Sequence, residues 1–320
     1  MKITVLDRAT MGSDLSISPL YELGEVTVYE NTTQEELEER ACDAEVLVLN
    51  KVKISADTIK AAKNLKLVCV FATGYDNIDV AAARLAGVGV CNVPAYSTDS
   101  VALFTVANAL SLFTHLSEYR NFVASGEYSK SGRANCLVPV YHEMRGKTWG
   151  IIGFGNIGRA VGRIAEAMGA KVIVNKRTPI DGYECVDINT LCSRSDIITV
   201  HCPLNDATRG LISDEQIALM KRGVVIVNGA RGAVLDEAAI AKAVIDGRIG
   251  AFGSDVYSEE PFGKKHPMAS IASLPNVCLT PHAAWGAYEA RERCLNVICD
   301  NIRSFVSGKT LNRVDILGQN

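Results

Sequence analysis

The chain predicts an α/β protein with parallel sheets, laid out as two domains of which one is inserted into the other. Three observations carry this. Short β-rich runs alternate with helical stretches along the chain; the turn Gly153-Phe154-Gly155-Asn156-Ile157-Gly158 stands between an apolar run and a helical pattern; and 320 residues are too many for one simple core. Strand–helix alternation means parallel crossovers.

The first elements are the strand Ile3–Leu6, a helix from Thr33 to Cys42, the strand Val46–Leu49, a helix from Asp57 to Lys63 and the strand Leu67–Ala72. Thr33-Gln34-Glu35-Glu36 has the capping-box pattern that starts a helix. After the loop Pro94-Ala95-Tyr96-Ser97, the Ala- and Leu-rich stretch Ser100 to Ser125 predicts one long helix ended by Gly126. A second series begins at Thr148: the glycine turn, strand Lys171–Asn175, helix Ile188–Arg194, strand Ile197–His201, helix Asp214–Met220, strand Val224–Asn228, helix Asp236–Asp246 and strand Ala251–Asp255. Trp285–Gly308 closes the chain as a helix. A nucleotide domain at 99–285 leaves 1–98 and 286–320 to make the other domain together. Hinges are expected near Ser97–Ser100 and Ala283–Gly286, with an active-site cleft between the domains.

The 48% hydrophobic and 22% charged fractions fit an ordinary soluble globular protein. Formal charge is 33 − 36 = −3 without a long basic run, which points away from nucleic acid and anionic membranes and toward a small-molecule partner. Met1-Lys2-Ile3-Thr4-Val5-Leu6-Asp7 reads as a strand rather than a signal, and no segment reaches the roughly 18 to 20 apolar residues that span a bilayer. Ten cysteines occur singly, with no Cys-x-x-Cys pair to hold a metal or form a redox dithiol. Reduced thiols in a cytoplasmic protein are expected, with Cys69, Cys91 and Cys202 as small buried residues.

In the glycine turn, a strand, a turn and a helix N-terminus build an anion pocket from backbone N–H groups, suited to a dinucleotide pyrophosphate. Gly153 turns the chain, Gly155 lets phosphate approach, and Gly158 packs helix on strand. Arg231, in Asn228-Gly229-Ala230-Arg231-Gly232, follows an apolar strand, where a parallel sheet puts its ligand-facing loops. Its guanidinium either holds a carboxylate through two parallel hydrogen bonds or pairs on the surface with Asp236. His282, in Thr280-Pro281-His282, follows the apolar run Val277–Leu279 beside a proposed hinge. Histidine titrates near neutrality, so it both gives and takes the proton that reduction of a ketone requires. His115, His142 and His266 are read as hydrogen-bonded packing residues. Glu260, in Ser258-Glu259-Glu260-Pro261, offers a carboxylate to orient the imidazole, and Glu259 competes for that part; the residues alone leave the choice open.

Together these segments are similar to the D-isomer-specific 2-hydroxyacid dehydrogenases. The similarity runs through Ala72-Thr73-Gly74-Tyr75-Asp76-Asn77-Ile78-Asp79, Asn92-Val93-Pro94-Ala95-Tyr96-Ser97, the glycine turn, His201-Cys202-Pro203-Leu204, Asn228 to Gly232, Asp255-Val256-Tyr257-Ser258-Glu259-Glu260-Pro261 and Thr280-Pro281-His282. Ala72 to Asn77, Pro94 to Thr98 and His282-Ala283-Ala284-Trp285 look most like its glycerate dehydrogenase, or hydroxypyruvate reductase, branch. The resemblance implies a Rossmann-like NAD(P)-binding domain inserted in a discontinuous flavodoxin-like substrate domain, and a homodimer. It implies Arg231 as the anchor for carboxylate and carbonyl, His282 as acid/base and Glu260 as its partner. Backbone groups at Thr73, Gly74 and Tyr75 would bind the substrate carboxylate. Coenzyme contacts would come from Gly153 to Gly158, His201, Cys202, Pro203, Ala230, Asp255 facing the nicotinamide carboxamide, and His282.

Two features depart from the family pattern. Leu103-Phe104 replaces a common polar pair in the helix after Ser100. Val174-Asn175-Lys176-Arg177-Thr178 lacks the carboxylate that binds the ribose hydroxyls of NAD, while Lys176 and Arg177 suit a 2′-phosphate, so NADP is expected in preference to NAD unless Asp181 serves the ribose. The expected reaction is reduction of a small 2-keto acid, hydroxypyruvate or glyoxylate. A phosphoglycerate dehydrogenase-like enzyme and a dinucleotide-sensing corepressor-like binding protein are the alternatives, since fold does not fix function.

Overall fold

Five short strands form the first sheet: β1 (Lys2–Val5), β2 (Glu25–Val28), β3 (Val46–Leu49), β4 (Leu67–Val70) and β5 (Gly89–Cys91), with β3 and β4 apolar throughout. They pair in parallel in the order β2-β1-β3-β4-β5. Every residue of β3 and β4 is buried, as strands covered by helices on both faces must be. In this computed structural model residues 1–316 are described; residues 317–320, the end of the predicted 286–320 segment, lie outside the described residues.

The second sheet has seven parallel strands: β6 (Thr148–Ile152), β7 (Lys171–Asn175), β8 (Glu184–Cys185), β9 (Ile197–Val200), β10 (Val225–Asn228), β11 (Ala251–Ser254) and β12 (Val277–Leu279). Their order is β12-β11-β10-β9-β6-β7-β8, so the direction of winding reverses between β6 and β9. A reversal of this kind opens a crevice at the carboxyl ends of the strands. The chain divides into two units, Met1–Ser97 with Gly286–Asn320 around the first sheet, and Thr98–Trp285 around the second.

Helix starts follow local chemistry. Thr33 and Glu36 form the reciprocal capping box at the head of Gln34–Ala41. Asp187 caps Ile188–Arg194 through Thr190 N, and Asp236 caps Glu237–Ile245 through Ala238 N and Ala239 N. Asp236 therefore serves a helix terminus.

The predicted helix from Ser100 to Ser125 is two helices, Thr98–Phe113 and Leu116–Ala124, bent by 64°. The break lies at His115, whose φ of 54° is left-handed and ends the hydrogen-bonded ladder. Its Nδ1 lies 2.7 Å from Glu118 Oε1, in the first turn of the second helix. Gly126 then precedes a further short helix, Glu127–Ser131. Strands β2 and β5 and the helix Val80–Leu85 escape the sequence reading because each is short or lies at an edge. Among the described residues no single helix is long and apolar enough to cross a membrane.

Candidate active site

Parallel register brings the chemistry of the larger unit to one edge. Ile152 pairs with Asn175 on one side and Val200 on the other, and Asn228 pairs with Val200 and Ser254. The line continues as backbone bonds from Gly153 N to Asn175 O (2.9 Å), His201 N to Ile152 O (2.7 Å), Asp255 N to Asn228 O (3.1 Å) and Thr280 N to Ser254 O (2.9 Å). The glycine turn, Lys176, His201, Arg231, Asp255 and His282 thus all follow strand ends in a single row.

The glycines have distinct surroundings. Gly153 has φ of 86°, and a Cβ there would strike the backbone of Cys202. At Gly158 a Cβ would strike the carbonyl oxygen of Gly153, so helix and strand close up. Gly155 faces open space, with nothing within 4 Å of where its Cβ would stand. It is also the N-cap of Asn156–Ala167, a helix with no side-chain cap and no acidic residue in its first turn. This open cradle at an uncapped helix start fits a pyrophosphate.

His282 is held in a strained turn. Its φ is 54°, a left-handed conformation that costs a non-glycine residue about 1–2 kcal/mol. The buried carboxylate of Asp255, 5% exposed, clamps the turn from below. Its Oδ1 accepts from Thr280 Oγ1 (2.7 Å) and Ala283 N (2.8 Å), and its Oδ2 accepts from Ala284 N (2.9 Å), which leaves that oxygen room for one more donor. Tyr257 donates its hydroxyl to Thr280 O at 2.8 Å; burial raises its pKa, so it stays a donor.

Within this turn His282 Nδ1 meets Glu260 Oε2 at 2.6 Å. Glu260 Oε1 accepts from Tyr257 N at 2.9 Å, which fixes the carboxylate to its own loop. Glu260 occupies Nδ1, so Nε2 is the ring nitrogen turned away from that carboxylate. Arg231 stands at the end of β10, with Asn228 Nδ2 donating to its carbonyl at 3.0 Å and Asn228 Oδ1 accepting from Ala230 N. Next to it a Cβ on Gly232 would collide with the backbone of Tyr257 and Ser258, so the loop bearing Glu260 passes directly over the loop bearing Arg231.

Residues 106–284 match the family described as D-isomer specific 2-hydroxyacid dehydrogenase, NAD binding domain. The chain belongs to the D-isomer-specific 2-hydroxyacid dehydrogenase family. It is 39% identical to glycerate dehydrogenase of Methylorubrum extorquens, with 98% of this chain and 99% of that one covered, and 36% identical to hydroxypyruvate reductase of Blautia hydrogenotrophica, with 98% and 100% covered. Among solved structures it is similar to an acyclic imino acid reductase in complex with NADPH and D-Arg, with a TM-score of 0.85, 31% identity, and 98% and 100% coverage. Its coenzyme is accordingly a nicotinamide dinucleotide and its substrate a small hydroxy or keto acid.

In the smaller unit, Thr73-Gly74-Tyr75 follows β4 and is pinned at that sheet's carboxyl edge. Thr73 Oγ1 donates to Val93 O and Asn92 Nδ2 donates to Thr73 O, both at 2.8 Å. Beside it the buried Asp7 carboxylate gathers Asn50 N, Lys51 N and Val52 N, shaping the loop after β3. Lys51 and Lys53 on that loop are exposed. The Asp255 and Asp7 clamps were not legible beforehand, since their partners lie tens of residues away.

His201 has neither ring nitrogen bonded and neither in contact with solvent, although the residue as a whole is half-buried. Desolvation pushes its pKa down to about 4. In the unfolded chain the ring titrates near 6.5, so between about 6.5 and 4 the unfolded state holds the extra proton and stability declines as pH falls. The thermal midpoint is expected to drop across that window, and His201→Gln should flatten the drop. Superimposable pH curves for the two proteins would show that His201 titrates alike folded and unfolded.

Proposed function

We propose that this enzyme reduces hydroxypyruvate or glyoxylate to the D-2-hydroxy acid, and oxidises D-glycerate in reverse, with His282 as the acid/base. The observation that carries the reading is the 2.6 Å contact between His282 and Glu260, on the same sheet edge as the open glycine cradle. His282 Nε2 hands a proton to the substrate oxygen and recovers it in the reverse direction, while Glu260 holds the ring from behind. Arg231 binds the carboxylate and carbonyl and steadies the charge that grows on oxygen. Backbone groups of Thr73, Gly74 and Tyr75 take the carboxylate, which makes Met1–Ser97 with Gly286–Asn320 the substrate domain and Thr98–Trp285 the dinucleotide domain. A bound dihydronicotinamide would supply the hydride; Asp255 would hold its carboxamide, and His201, Cys202, Pro203 and Ala230 would be among the residues that hold the coenzyme. The names of the two relatives support the choice of keto acid.

NADP is the preferred coenzyme in this reading. Asn175 Nδ2 donates to Val186 O at 2.9 Å, so this side chain is turned to its own fold. Half-buried Lys176 and exposed Arg177 and Thr178 follow it and offer cationic and hydroxyl donors to a 2′-phosphate.

The enzyme pairs as a homodimer through an apolar stretch of the larger unit. Leu137, Val138 and Val140 are 72%, 75% and 69% exposed, a run of neighbouring apolar side chains of the kind that marks an interaction surface. Tyr119 donates to Pro139 O and packs edge-on to Tyr141, which lays this stretch along Leu116–Ala124.

Three measurements test these readings. His282→Gln should lower kcat about a hundred- to ten-thousand-fold on hydroxypyruvate while coenzyme affinity stays level; wild-type turnover removes His282 from the reaction. Asn175→Asp combined with Arg177→Ala should shift the kcat/KM ratio from NADPH toward NADH, and an unmoved ratio rejects the phosphate clasp. Light scattering should give twice 34.4 kDa, reduced to a single chain by Leu137→Glu with Val138→Glu; a monomeric wild type ends the dimer reading.

A further inference from the structure

Behind Glu260 lies a second carboxylate that takes no part in the reading above. Glu237, the first residue of the helix Glu237–Ile245, has a side chain only 9% exposed, and it is joined to the loop that carries Glu260. Its Oε1 accepts from Ser258 N at 3.1 Å, and its Oε2 accepts the hydroxyl of Ser258 in a short hydrogen bond. His266, whose side chain is 5% exposed, stands over the same pair, with Nε2 at 3.1 Å from Glu237 Oε2 and from Ser258 Oγ. Met268 N donates to His266 Nδ1 at 3.3 Å, so Nε2 bears the hydrogen and points it at the carboxylate and the hydroxyl.

A serine, a histidine and a glutamate in contact suggest a hydrolytic triad, but the connectivity excludes one. In a triad the carboxylate orients the far nitrogen of the ring and leaves the near one to take the serine proton. Here Glu237 sits on the same nitrogen as Ser258 and also takes the serine hydrogen itself. The arrangement is a three-donor clamp on one buried carboxylate, and what it clamps is the backbone two residues before Glu260.

We propose that Glu237 is a positioning residue for the Glu260–His282 pair. Through Ser258 and His266 it fixes the Ser258–Glu260 segment over Gly232, and so sets the reach of Glu260 to His282 Nδ1. The inference rests on the acid/base reading of His282. Phe262 stacks on His266 with centroids 5.2 Å apart, and Tyr257 meets Phe262 edge-on at 4.6 Å, so the loop is braced by apolar contact on one side and by the carboxylate on the other. Removing the charge leaves the apolar brace in place and frees the polar one. Buried donors facing an amide cannot all be satisfied, and the loop relaxes.

Glu237→Gln should lower kcat about tenfold with KM for the keto acid and Kd for NADPH within twofold of wild type. Acting through Glu260, the same substitution should cost no further kcat in an enzyme already carrying Glu260→Gln; this non-additivity separates positioning from a general loss of structure. Multiplicative losses in the double variant, or wild-type kcat in a folded Glu237→Gln enzyme, overturn the proposal. Should Glu237→Gln fail to fold, Ser258→Ala, which keeps the bond from Ser258 N, carries the same cycle with a smaller expected loss of about threefold, and additivity there is equally decisive. A dead His282→Gln enzyme beside a fully active Glu237→Gln enzyme sinks this inference alone, whereas an active His282→Gln enzyme sinks the reading beneath it.

Discussion

Parallel pairing of β6, β9, β10, β11 and β12 in step is the constraint on which the larger unit depends. Each strand ends one residue before a functional loop, so that the register of hydrogen bonds fixes the spacing of those loops along the sheet edge. Strands β9, β10 and β11 are buried on both faces, so a slip of one residue would exchange side chains between two packed layers, setting a side chain where Gly253 leaves no room beside Asn108, and the misfit forbids it. Ile152, Val200, Ile226 and Phe252 are at most 1% exposed and hold that register from within. Chemistry at the edge is therefore positioned by packing far below it.

Above the edge, carboxylates do the finer work. Asp255 gathers three donors of the turn around His282, and Asp7 gathers three backbone N–H groups in the smaller unit. In each case a buried acceptor compels a loop that has no regular hydrogen bonding of its own to take one shape. Desolvation raises the pKa of Asp7 in spite of those donors, a sign of how far it lies from water. The left-handed conformation of His282 persists because the residues on both sides of it are tied to the same carboxylate.

Much of this was readable in advance. The glycine turn announces itself because its residues are adjacent and its demands are local, and the same is true of the capping box at Thr33. Arg231, Glu260 and His282 were identifiable by type and by their position after apolar runs, but the choice of Glu260 over Glu259 needed either the family pattern or the 2.6 Å contact. Periodicity could not reveal the break at His115, because the residues on both sides favour helix and only a single left-handed residue divides them. His266, read as a hydrogen-bonded packing residue, is one, but its partners Ser258 and Glu237 are brought to it by folding alone and could not be named beforehand.

The crossing at Gly232 carries a mechanical corollary. With no space for even one methyl group between the Arg231 loop and the Tyr257–Ser258 backbone, the two segments touch like meshed teeth. A displacement of the guanidinium's own loop is transmitted to the segment that bears the glutamate behind the imidazole, so Arg231 and Glu260 travel as one body.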